Sequence, residues 1–110
     1  MSSPAPASPK PPHPGDLIKQ IRRLATDGRF SYGTHVFDER SPERSIDIQD
    51  AVQVLKKGMI KGEIKPGVNP GEWVCKVIDQ ADGSSRWIGV VVATTSNWLF
   101  LMTVEWEDRI

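Results

Sequence analysis

Hydrophobic positions follow a helical period early in the chain and a strand period late in it. In DLIKQIRRLATDG, Leu17, Ile18, Ile21, Leu24 and Ala25 recur at three- and four-residue spacing, which is one face of an amphipathic helix. Asp16 is placed to cap its start and Gly28 to close its end. A second helix is predicted in SIDIQDAVQVLKKG, with Ile48, Ala51, Val52 and Leu55 as its apolar stripe. Asp47 there reads as the N-cap and Asp50 as its capping-box partner. Lys56 and Lys57 sit at the negative end of the helix dipole, before the terminating Gly58.

Beyond Gly58 the period shortens to two. MIKGEIK reads as a short strand and GVNPG as a turn. EWVCKVID alternates, with Trp73, Cys75 and Val77 on one face and Val74, Lys76 and Ile78 on the other. QADGSS carries an Asp-Gly hairpin signal. RWIGVVVAT and WLFLMTVEW are β-branched and aromatic runs separated by the turn TSN. Helices followed by a strand meander give an α+β class: two N-terminal helical segments packed on a C-terminal antiparallel sheet of about four strands.

Composition adds a boundary. Residues 1–14 hold six of the nine prolines, interspersed with Ser and Ala, too little apolar surface to offset the entropy of ordering. They are expected to form a disordered or polyproline-like tail, and residues 15–110 a single domain. The proline spacing also admits a role as an SH3-type ligand. No apolar run approaches the roughly 20 residues of a membrane helix. The N-terminal stretch has no apolar core of the signal-peptide kind, so the expected location is the cytoplasm. Cys75, the single cysteine, excludes an internal disulfide and reads as a buried small hydrophobe.

The formal net charge is zero, yet residues 1–65 carry 11 Lys and Arg against 8 Asp and Glu, and residues 66–110 carry 3 against 6. A neutral chain argues against a strong sequence-independent grip on nucleic acid, while a local basic patch remains compatible with it.

Candidate chemistry concentrates in SYGTHVFDERSPERSIDIQD. His35, Arg40 and Arg44 lie there among Asp38, Glu39 and Glu43. No metal-ligand spacing includes His35, and Pro42 would end or kink any helix begun at Thr34. Two readings stay open: a solvated charged segment with a capping or packing histidine, or a site built on the one folded-region group that titrates near neutrality. His13 is assigned to the tail. The segment itself is expected to be helix and turn at the edge of a concave sheet face.

Four short motifs occur in order: Thr34-His35-Val36; Arg44-Ser45-Ile46-Asp47; Gly58 with Ile60; and Thr103-Val104. Their order and spacing, over roughly residues 16–109, resemble a bacterial family of small domains of unknown function related to RelE- and MqsR-type toxins of toxin–antitoxin systems. The spacing from His35 to Arg44 is one residue longer than usual in that family. Ser45 stands where Gly is usual, and Trp106 where an aromatic, often Tyr, is expected. The resemblance implies a RelE-like fold and a metal-independent mRNA endoribonuclease, acting alone or on the ribosome and silenced by an antitoxin protein. Such cleavage activates a 2′-hydroxyl and needs a base, an acid and cations for the developing phosphorane charge. His35 is then the acid–base candidate, and Arg40 and Arg44 the phosphate clamp. Lys76 and Arg86 become phosphate contacts, and Thr103 positions a hydroxyl. No cofactor, metal, membrane or direct DNA contact is implied.

Each assignment has a plainer counterpart. Arg86 could bridge to Asp79 or Asp82 across its hairpin, Lys76 could face solvent, and Thr103 could serve only as a β-former. Trp73, Trp87, Trp98 and Trp106 could pack the core or stack bases. The competing functions are a non-catalytic binding domain of the same fold with a protein partner, and a small-molecule or regulatory domain.

Overall fold

The computed structural model describes residues 10–37, 46–81 and 85–107. Among these residues, two helices lie against one face of a mixed sheet of five strands.

Helix α1 (Pro14–Thr26) starts ahead of the expected Asp16. His13 is its cap: the ring Nδ1 accepts from the Gly15 N–H at 3.0 Å, and the His13 carbonyl accepts from Asp16 and Leu17 N–H. This corrects the assignment of His13 to the tail. Pro14 supplies a preset φ at a position whose N–H would have no helical partner, so the helix can begin before the Asp that sequence preference selects. Strand β1 (Phe30–Tyr32) follows a Gly28 turn at φ +72°.

Helix α2 (Ile48–Lys57) opens with the expected capping box: the Asp50 N–H donates to Asp47 Oδ1 at 2.9 Å, and the Asp47 N–H donates to Asp50 Oδ2 at 3.1 Å. Asp47→Ala removes one half of this exchange and should lower stability by about 1 kcal/mol in a urea melt.

Four strands follow: β2 (Met59–Pro66), β3 (Trp73–Gln80), β4 (Trp87–Thr94) and β5 (Leu99–Glu107). The sheet order is β1-β5-β4-β3-β2. The α+β class holds, with two corrections. A strand lies between the two helices, and the sheet is mixed with five strands, because β1 pairs parallel to β5 with Phe30 opposite Leu99. Three residues are too short to show a period, and their partner is far along the chain. The Leu99 N–H donates to the Arg29 carbonyl, and Trp98 Nε1 donates to Ser31 Oγ, both at 3.0 Å.

The core lies between the helices and the inward sheet face. Leu17, Ile21 and Leu24 of α1 and Ala51, Val54 and Leu55 of α2 meet Cys75, Val77, Val90, Val92, Leu99 and Leu101. Gln20 stitches α1 to the end of β4, donating to Thr94 Oγ1 at 3.2 Å and the Thr95 carbonyl at 2.7 Å. The buried Thr94 hydroxyl is thereby satisfied. Arg22 donates to the Gly58 carbonyl at 3.1 Å, joining α1 to the end of α2. No helix among the described residues is long and apolar enough to cross a membrane.

Candidate binding face

The helices cover one face of the sheet and leave the other open. Alternation sets which residues reach the open side. On β3 these are Val74 and Lys76, because Cys75 and Val77 point into the core. On β4 they are Gly89, Val91 and Ala93, opposite Ile78, Lys76 and Val74 respectively. On β5 a bulge breaks the alternation: Val91 pairs with Thr103 and Val92 with Leu101, so Met102 has no partner. Phe100 and Met102 face this side by alternation with the buried Leu99 and Leu101 and keep 44% and 42% of their surface, and the bulge adds the exposed Thr103 next to them.

This face has two halves. At the end where β3 begins and β4 ends, a groove of about 460 Å³ is lined by Val74, Ala93, Phe100 and Met102, with the 66–72 loop as its wall. That wall is braced internally. The Gly67 N–H donates to the Glu72 carbonyl at 2.7 Å, and the Glu72 carboxylate accepts from the Val68 N–H at 3.0 Å. Gly71 takes φ +77°, a conformation that favours glycine. Val68 projects from the rim almost fully exposed.

The other half is ionic. Lys76 Nζ lies 2.8 Å from Glu105 and 3.1 Å from Glu107, and Lys61 Nζ lies 3.4 Å from Glu107. Glu107 reaches these lysines by crossing β4 over Gly89, where an added Cβ would come within 2.8 Å of the Glu107 Cγ. The hydrogen bond to Glu105 holds the Lys76 ammonium above its ordinary value of 10.5. Partial burial opposes the shift and Glu107 reinforces it.

Among the described residues, the proposed site residues do not form one cluster. Lys76 and Thr103 share the open face, but two carboxylates already engage Lys76 and would repel a phosphate there. Arg86 and Lys76 lie toward opposite faces of the sheet. The Arg86 guanidinium lies 3.9 Å above the Trp106 ring, and Trp106 packs against the helix-side core opposite Ile88. His35 is exposed in the 34–37 turn, its ring against Gly33. Beside it, Tyr32 and Phe37 make an edge-to-face contact at 4.9 Å. Arg40 and Arg44 lie outside the described residues, as do Asp38, Glu39, Pro42 and Glu43. Among the described residues no group of three or more His, Cys, Asp or Glu is placed to hold a metal ion.

The groove residues Val74, Ala93, Phe100 and Met102, and the ionic partners Lys61, Glu105 and Glu107, were not picked out from the sequence. One signal was present: Gly89 interrupts an otherwise β-branched strand, and such a glycine often marks a close approach by another group.

No protein-family model matches this chain, and no curated protein or solved structure matches it either.

Proposed function

We propose that the protein is a non-catalytic binding domain on a RelE-like α+β scaffold, taking an apolar segment of a partner protein on its open sheet face. The groove lined by Val74, Ala93, Phe100 and Met102 carries this reading. A large apolar side chain left half in water forgoes burial energy of about 25 cal/mol per Å². Contiguous residues of that kind, bounded by a polar rim, are the mark of an interaction site. The Lys76–Glu105–Glu107 cluster supplies that rim and fixes the orientation of whatever docks.

A photoreactive benzophenone side chain at position 100, expressed in the full chain in cells, tests the reading. A discrete protein adduct is expected from position 100. None is expected from position 49, which is exposed on α2, and Met102→Glu should abolish the position-100 adduct. Absence of an adduct, or identical adducts from both positions, would sink it.

A toxin-type mRNA endoribonuclease controlled by an antitoxin is the second reading. In its favour, β1 runs parallel to β5 and ends opposite Leu101, so the His35 turn follows from the strand that pairs with β5, which carries Thr103. Under this reading the purified protein cleaves RNA without added metal, and His35→Ala removes cleavage while leaving the melting temperature unchanged. No cleavage by the wild-type chain, either alone or with translating ribosomes added, rejects it.

A further inference from the structure

Three concavities run in series around one end of the sheet. The first, about 150 Å³, includes Pro12, Gly71 and Trp73. The second, about 320 Å³, follows the 66–73 loop and shares Gly71 and Trp73 with the first. The third is the apolar groove, which shares Pro66, Gly67, Val68, Asn69 and Glu72 with the second. The shared lining residues make the three neighbours, from Pro12 around the 66–73 loop to Phe100 and Met102.

We infer that residues 1–9, MSSPAPASP, occupy the groove of their own domain as a proline-rich ligand and compete there with the partner segment. This rests on reading the groove as a peptide-binding surface.

Reach, chemistry and concentration support the assignment. The His13 cap and Pro12 set the start of this series beside Gly71 and Trp73. In a polyproline conformation nine residues extend about 28 Å, at about 3.1 Å each. Crossing from β3 to β5 takes about 10 Å, or two strand spacings. The remaining length serves the turn around the 66–73 loop. Residues 1–9 carry no charged side chain, as an apolar groove requires. Proline-rich segments also suit exposed aromatic surfaces because their ordering cost is low, and Phe100 and Trp98 provide such surface. Attachment to the domain raises the effective concentration to the millimolar range, so weak contacts suffice.

Methionine-methyl NMR on the full chain with a nitroxide at Ser3→Cys tests this. Cys75 is 3% exposed and stays unlabelled. Met102 lies in the groove, and Met59 is exposed at the far end of β2. The Met102 methyl signal should lose more than half its intensity while Met59 keeps its own. Phe100→Asp should restore Met102, and so should Pro4→Gly with Pro6→Gly, which leaves the domain untouched. No broadening, or equal broadening at both methionines, overturns the inference. Broadening found only between spin-labelled and isotope-labelled chains in a mixture also overturns it and assigns the groove to a second copy. If Met102 is unaffected while position 100 still crosslinks, the binding-domain reading survives and the tail assignment alone fails. If Met102 broadens without crosslinks, the tail assignment stands and the partner reading fails.

Discussion

Gly58→Ala should destabilise the domain by about 2–3 kcal/mol, the upper part of the usual range for an overpacked site. Gly58 ends α2 with φ −79° and ψ −175°, extended backbone that any residue adopts. Its glycine is demanded by crowding. An added Cβ would meet the Ile78 carbonyl oxygen and would sit 2.6 Å from the Val54 carbonyl oxygen. Neither can yield cheaply. The Val54 carbonyl accepts the Gly58 N–H at 2.7 Å, and Ile78 is held opposite Met59 in the β2–β3 ladder. Arg22 holds the Gly58 carbonyl from the other side. Gly28→Ala is the contrast. Gly28 has φ +72° with nothing within 4 Å of a Cβ, so its cost is the left-handed backbone alone, about 1–2 kcal/mol. Urea denaturation of the two variants separates the mechanisms. A Gly58→Ala loss below that of Gly28→Ala would show that the helix-to-strand junction relaxes.

Alkali should weaken the fold in two stages. Burial pushes the Cys75 thiol from its ordinary 9.0 up to about 11. A group whose folded pKa is raised contributes stability that is complete below its unfolded pKa and is lost as pH climbs to the folded one. For Cys75 the loss runs between pH 9 and about 11. The total is about 2–3 kcal/mol, from a two-unit shift at about 1.4 kcal/mol per unit. Lys76 is also raised, chiefly by its hydrogen bond to Glu105, so its contribution disappears above pH 10.5 by the same sign. Melting temperatures of wild type and Cys75→Ala should converge as pH rises from 8 to 10.5, because the variant lacks the first stage. A constant gap across that range would show that the thiol does not ionise on unfolding. Lys76→Met should flatten only the steeper fall above that window.

The sequence by itself determined the local elements. Asp47 and Asp50 are three residues apart, so their capping box follows from spacing. The faces of β3 follow from alternation, with Cys75 and Val77 inward and Lys76 outward. The helical stripe of α1 follows from the 3.6-residue period, which puts Leu17, Ile21 and Leu24 in the core. These are properties of neighbours along the chain, where propensity and burial agree.

Tertiary structure decided what depends on distant partners. β1 is a strand only because β5 lies beside it. The crowding at Gly58 comes in part from Ile78, which arrives from β3. The Met102 bulge turns Thr103 to the open face beside Met102, which strict alternation forbids, and so carries Glu105 and Glu107 to that face as well. Lys76 and Arg86, both cations on strands by sequence, become a carboxylate-bound lysine on one face and a guanidinium stacked on Trp106 on the other. Periodicity assigns a residue to a face. It does not determine which charges cross from a neighbouring strand to meet it, because those contacts are made between segments far apart in the chain.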